Sequence, residues 1–172
     1  MTCNPTKCKE IIFRKKGFNQ DIVPVRDIPQ CAELSILGIT LQQNCKYSSH
    51  VRAKVIKANK SLFILGSSRK EGTSQEEVDH LFNAIVLPNF SYALPVYDAS
   101  DSDLSMIQNF LDRCLERKFM SKNVDIRDLL EKTDKALYKK RSIDPECPFF
   151  QFLPKVKNMR YNLRNTLVSV PS

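Results

Sequence analysis

The chain has 172 residues, 27 lysines and arginines against 19 aspartates and glutamates, and a formal net charge of +8. An apolar fraction of 42% with 27% charged residues excludes a disordered polyelectrolyte and fits one domain of ordinary size. Only four glycines are present, Gly17, Gly38, Gly66 and Gly72, which excludes a glycine-rich phosphate loop, while the positive balance favours a polyanionic partner.

The first 45 residues alternate short β-rich runs with turn signals. Glu10 to Arg14 reads as a strand closed by Lys15, Lys16 and Gly17. Ile22 to Val25 reads as an edge strand, because Pro24 has no N–H for a ladder. Leu34 to Leu41 is the strongest strand candidate, with both faces apolar enough to be covered.

Beyond residue 45 the period becomes helical. Val51, Val55, Ala58, Leu62 and Leu65 recur at three- and four-residue spacing and predict one buried stripe. Ser74 with Glu77 forms a capping-box signature before Val78, Leu81, Phe82 and Ile85, and Pro88 must break or kink that helix. A third helix opens at Ser100 to Asp103 and turns Leu104, Ile107, Leu111, Cys114 and Leu115 inward. A fourth runs from about Asp125, with Ile126, Leu129, Leu130 and Leu137 on its apolar side. Pro145, Pro148 and Pro154 punctuate the remainder, and residues 155–172 are expected to be mostly irregular. The expected fold is α+β: a small antiparallel sheet or hairpin over 1–45, a helical bundle over 46–141, and a basic tail over 142–172.

The cysteines, Cys3, Cys8, Cys31, Cys45, Cys114 and Cys147, show no Cys-x-x-Cys pair, and no apolar run approaches the ~20 residues that span a bilayer. Reduced thiols in a cytosolic or nuclear protein are expected, with neither membrane nor small-molecule substrate as partner. No metal site is expected from His50 and His80, and Asp98, Asp101 and Asp103 lack the glycine and closing glutamate of a calcium loop. These acids suit a helix N-terminus instead. Cys8 lies between Lys7 and Lys9, a setting that lowers a thiol pKa, but nothing supplies the rest of a thiol active site.

From Gln42 to Lys70 there are Lys46, Arg52, Lys54, Lys57, Lys60, Arg69 and Lys70, and no acidic residue. A solvated helix normally mixes signs, so this run points to phosphate contact by Arg52, Lys54, Lys57 and Lys60. Lys155, Lys157, Arg160 and Arg164, interleaved with Tyr161, form a second basic segment.

Three segments in order resemble the end of the palm and the thumb of non-LTR retrotransposon reverse transcriptases. The first is Asn4-Pro5-Thr6-Lys7 running into Glu10-Ile11-Ile12-Phe13, similar to the Asn-x-x-Lys and strand that follow the catalytic aspartates. The second is Leu34 to Leu41 followed by Tyr47-Ser48-Ser49-His50-Val51, similar to the leucine-glycine strand and the start of the next helix. The third, Leu87 to Tyr97, resembles a thumb segment that ends in an aromatic residue. The likeness covers roughly residues 4 to 141.

The resemblance implies that Leu37, Gly38 and Ile39 form a primer grip, where a glycine lets a nucleic-acid backbone approach closely. It implies for Lys7 a role near departing pyrophosphate, vestigial without a palm; read from the residues alone, Lys7 is a solvated lysine before a strand. Such polymerases hold two metal ions on palm aspartates, which lie upstream of the Asn-x-x-Lys segment, and no Asp-Asp pair occurs here. The expectation is therefore a catalytically inactive fragment without cofactor, binding nucleic acid weakly and without sequence preference. The Lys7-Cys8-Lys9-Glu10 run also resembles the short N-terminal domain of an AlkB-type alkylation-repair protein. Its oxygenase would need a His-x-Asp iron site, and neither His50 nor His80 begins one. A helical thumb reused as a protein-interaction module is the remaining alternative.

Overall fold

A computed structural model describes residues 4, 8–14, 17, 21–25, 28–97, 99–142, 146 and 148. Lys7, Asp98, the run 155–172 and its basic residues lie outside these, as do Cys3 and Cys147. The chain divides into two compact units, Met1–Lys135 and Ala136–Ser172. Its secondary structure is mixed: a two-stranded antiparallel sheet followed by helices.

The run Leu34 to Leu41 is not one strand. It folds into β1 (Glu33–Ile36) and β2 (Ile39–Gln42), paired Glu33 to Gln42, Leu34 to Leu41, Ser35 to Thr40 and Ile36 to Ile39. The chain reverses at Leu37 and Gly38, whose φ angles are 50° and 80°. Positive φ at both central residues is the requirement of a two-residue hairpin turn matched to strand twist. Leucine at the first of them is unusual, because its Cβ crowds the backbone there.

The two earlier strand expectations fail. Glu10 makes a single parallel bridge with Gln30, donating to Pro29 O at 3.0 Å and accepting from Cys31 N–H at 2.8 Å, and Ile11 to Arg14 continue without a ladder. Ile22 to Pro24 belong to no strand, Ile22 O accepting instead from the Gln30 side-chain amide at 3.0 Å, and Val25 O accepts from Ile28 N–H at 3.0 Å. Pro24 and Pro29 each remove a donor that a ladder would use.

Helix α1 (Ser48–Lys70) carries most of the foreseen stripe: Val51, Val55, Ala58 and Leu65 are buried, together with His50, while Leu62 is half-buried. It ends where Gly72, at φ 88°, lets its N–H reach Arg69 O while Thr73 N–H reaches Ser68 O. That pairing satisfies carbonyls a helix end leaves open. Helix α2 (Gln75–Leu81) starts on the expected capping box, Ser74 and Glu77 bonding reciprocally.

Helix α2 does not simply break before Pro88. It widens into a π-helical turn, Phe82–Val86, closed by Leu87 N–H to Phe82 O at 3.0 Å, and Pro88 then occupies the first position of α3 (Pro88–Ser91). A proline is tolerated there because that N–H has no helical partner. Buried Asn89 donates its amide to the carbonyls of Ile85 and Val86 at 2.7 and 3.2 Å. The widened turn thereby buries Phe82, Val86 and Phe90, leaving Ile85 half-buried.

Helix α4 (Asp101–Glu116) is capped by Ser100, whose hydroxyl oxygen accepts from Asp103 N–H. It buries Leu104, Ile107, Leu111 and Cys114 as expected, and Phe110 besides, while Leu115 is half-buried. Helix α5 (Ile126–Ser142) buries Ile126 and half-buries Leu129 and Leu130, but Leu137 is exposed. The core of the first unit thus joins α1, the α2-to-α3 segment, Leu94, Tyr97, α4, Met120 and Ile126.

Candidate nucleic-acid interface

The hairpin stands against α1 because His50, on its first turn, accepts Thr40 N–H on Nδ1 at 3.2 Å. A second tie holds the tip, where the Tyr92 phenol donates to Leu37 O at 2.8 Å. The edge of that ring also lies near Gly38, where an added Cβ would sit 3.7 Å from it. The Lys54 ammonium stands over the Tyr92 ring, 5.3 Å from its centroid. Burial and the neighbouring Lys57 both lower the pKa of Lys54, burial more. Cation–π attraction from an exposed tyrosine is worth about 0.5–1 kcal/mol.

Leu37 is 84% exposed and Tyr92 52%, so an apolar tip and part of an aromatic ring stand open beside the Lys54 ammonium. Gly38 is exposed and Ile39 half-buried, its side chain facing the small cleft shared with Tyr47, Val96 and Tyr97. This is a surface able to stack a base or sugar and to hold phosphate without reading sequence.

The four basic residues expected to act together do not share one face. At about 100° per residue, Arg52 and Lys54 point to opposite flanks of α1. Lys54 and Lys57 lie on the Tyr92 side. Arg52 lines a separate groove with Glu33, Gln42, Asn44 and Ser49, where the Glu33 carboxylate opposes phosphate. Lys60 is exposed on the face directly away from the core. Tyr92 was absent from the expected site, since a contact 55 residues away in sequence leaves no local signal.

The remaining candidates have structural partners. Asp101 pairs with Arg127 at 2.7 Å, and buried Asp103 accepts from the Ser100 and Ser48 hydroxyls at 2.6 and 3.3 Å. Among the described residues no group of three His, Cys, Asp or Glu is placed to hold a metal ion. His80 is exposed at an open groove of about 620 Å³ beside Asp79, whose carboxylate is occupied by Gln75 and Ser121. Ser121 holds the Asp79 pKa below the ordinary value. Cys114 is buried and its thiol is pushed up to about 11, the opposite of an activated nucleophile. No described helix is long and apolar enough to cross a membrane.

The fold and this surface define a small basic α+β protein with a two-stranded hairpin tied to its helices. No family model, no curated protein and no solved structure matches the chain.

Proposed function

We propose that the chain is a reverse-transcriptase-like fragment, of the non-LTR retrotransposon kind, that holds nucleic acid without joining nucleotides. The observation that carries this reading is the Tyr92 bond to Leu37 O, which sets an exposed hairpin tip, an aromatic ring and the Lys54 ammonium in one patch. A primer grip would use such a tip against the sugar-phosphate backbone, with Lys54 and Lys57 supplying charge and Tyr92 a stacking face. Lys60 extends the positive field along α1, and Ile39 anchors the hairpin from behind. Catalysis is not part of the proposal, because joining nucleotides needs paired carboxylates on two metal ions and the sequence has no Asp-Asp pair.

Fluorescence anisotropy with a labelled single strand and with a primer-template duplex tests this reading. Weak binding indifferent to sequence is expected, reduced roughly tenfold in a Lys54→Gln, Lys57→Gln double variant. Unchanged affinity in that variant contradicts the assignment of the face. Primer extension with magnesium should give no templated incorporation; incorporation above background contradicts the non-catalytic part.

A further inference from the structure

Helix α1 is apolar on two sides. Opposite its buried stripe it presents Ala53, Ile56, Lys60, Phe63, Ile64 and Ser67, and Phe63 is 79%, Ile56 56% and Ile64 50% exposed. Residues 53, 56, 60, 63 and 67 follow the three-four spacing with which one helix meets another. Large apolar groups at that spacing on the outer face of a helix are left half or more exposed among the described residues.

Charge decides what fits. Arg52, Lys57 and Lys70 flank the stripe, Lys60 stands inside it, and the chain from Gln42 to Lys70 contains no acidic residue; Glu33 of β1 stands only at the Arg52 edge, in the groove it lines with Ala53 and Ile56. A second copy of α1 would bring like charges together, with no carboxylate on either helix to relieve them. Nucleic acid would meet the charges and could stack on Phe63, but it would leave Ile56 and Ile64, which have no flat face for a base, uncovered, whereas an apolar helix covers all three. We propose that the outer face of α1 docks an acidic amphipathic helix of a partner protein, whose apolar stripe covers Ile56, Phe63 and Ile64 and whose carboxylates meet Lys60 and Lys70.

This face excludes Leu37, Lys54, Lys57 and Tyr92, and Lys60 alone serves both readings, so the Ile56 and Phe63 variants separate them. The test is a titration of the full chain with a labelled synthetic helix of about three heptads, leucine on its seam and glutamate beside it. A second peptide carries lysine in place of each glutamate. Saturable binding of the acidic peptide alone is expected, weakened roughly tenfold or more by Ile56→Ser with Phe63→Ser. Both residues are exposed, so the fold should survive, and helical circular dichroism checks it. Lys60→Glu should weaken the acidic peptide and improve the basic one. Oligonucleotide affinity should be unaffected by the Ile56 and Phe63 changes. The proposal is overturned by no binding of the acidic peptide, by equal binding of both peptides, by indifference to the stripe variants, or by loss of oligonucleotide affinity on changing Ile56 and Phe63.

Discussion

The Tyr92 hydroxyl donates to the carbonyl of Leu37 across 2.8 Å, joining the turn after α3 to the tip of a hairpin 55 residues earlier. Both ends are exposed, so water competes for the bond and its net worth is modest, about 0.5–1 kcal/mol. Tyr92→Phe should lower stability by no more than that in urea unfolding. Its larger effect should appear in hydrogen exchange, where the hairpin amides exchange faster while the α4 amides do not. Equal acceleration in both would mean that the bond does not hold the tip specifically.

Leu37 should be a poor residue for stability and a good one for binding. With φ at 50°, it carries a cost of about 1–2 kcal/mol that Asn or Gly escapes. Leu37→Asn should therefore raise the urea midpoint while reducing oligonucleotide affinity, because the exposed apolar tip is lost. A variant that gains both, or loses both, contradicts the assignment of strain and function to the same residue.

The pH dependence of stability has three limbs. Burial, then the Lys54 charge, lowers the His50 pKa below 6.5, so below that value the unfolded chain takes a proton that the folded chain resists. Stability should fall as pH drops beneath 6.5. Protonation would also remove the acceptor for Thr40 N–H. His50→Gln should flatten this limb between pH 6.5 and about 5. On the alkaline side Cys114 rises from 9.0 to about 11 and Tyr97 from 10.0 to about 12, chiefly by burial, with Asp103 adding to Tyr97. The unfolded chain ionises first there, so stability should fall again as pH rises above 9. In acid, Glu77 and Asp79, both held low by hydrogen bonds from serines, lose their contribution as they protonate. Urea midpoints measured against pH should peak between 6.5 and 9; a midpoint that keeps rising above 9 contradicts the burial of Cys114 and Tyr97.

Two phenylalanines should behave oppositely. Phe110 is 1% exposed and packs against Phe90 with ring centroids 5.3 Å apart, so Phe110→Ala should cost about 3–5 kcal/mol. Phe63→Ala, on the open face of α1, should stay within about 0.5 kcal/mol. Thermal or urea unfolding of the two variants checks both at once, and a comparable loss at Phe63 would mean that its face is covered.

The helices were legible because their signals are local. The Ser74–Glu77 box, the Ser100 cap and the Val51-to-Leu65 stripe each act within a few residues and appear where the spacing put them. Leu137 misled because its apolar spacing is real but it stays 37% exposed, outside the core. The single strand over Leu34 to Leu41 misled in another way: apolar periodicity is blind to the sign of φ, and a leucine at a left-handed position is an improbable turn residue. Strands at Glu10 and Ile22 needed partners that propensity does not supply. The candidate face was half legible. Lys54, Lys57 and the Leu37–Gly38 tip could be read along the chain. Tyr92 could not, and although the helical period alone separates Arg52 from Lys54, the Glu33 carboxylate beside Arg52 appears only once the helix is placed against the hairpin.

The most direct test of the central claim is the salt dependence of single-strand affinity. The logarithm of the association constant should fall linearly with the logarithm of salt concentration, with a slope of about −0.7 per phosphate neutralised. Lys54→Gln with Lys57→Gln should flatten that slope by about one unit or more. A flat plot for the parent protein, or an unchanged slope in the double variant, would contradict a phosphate-binding face at Lys54, Lys57 and Tyr92.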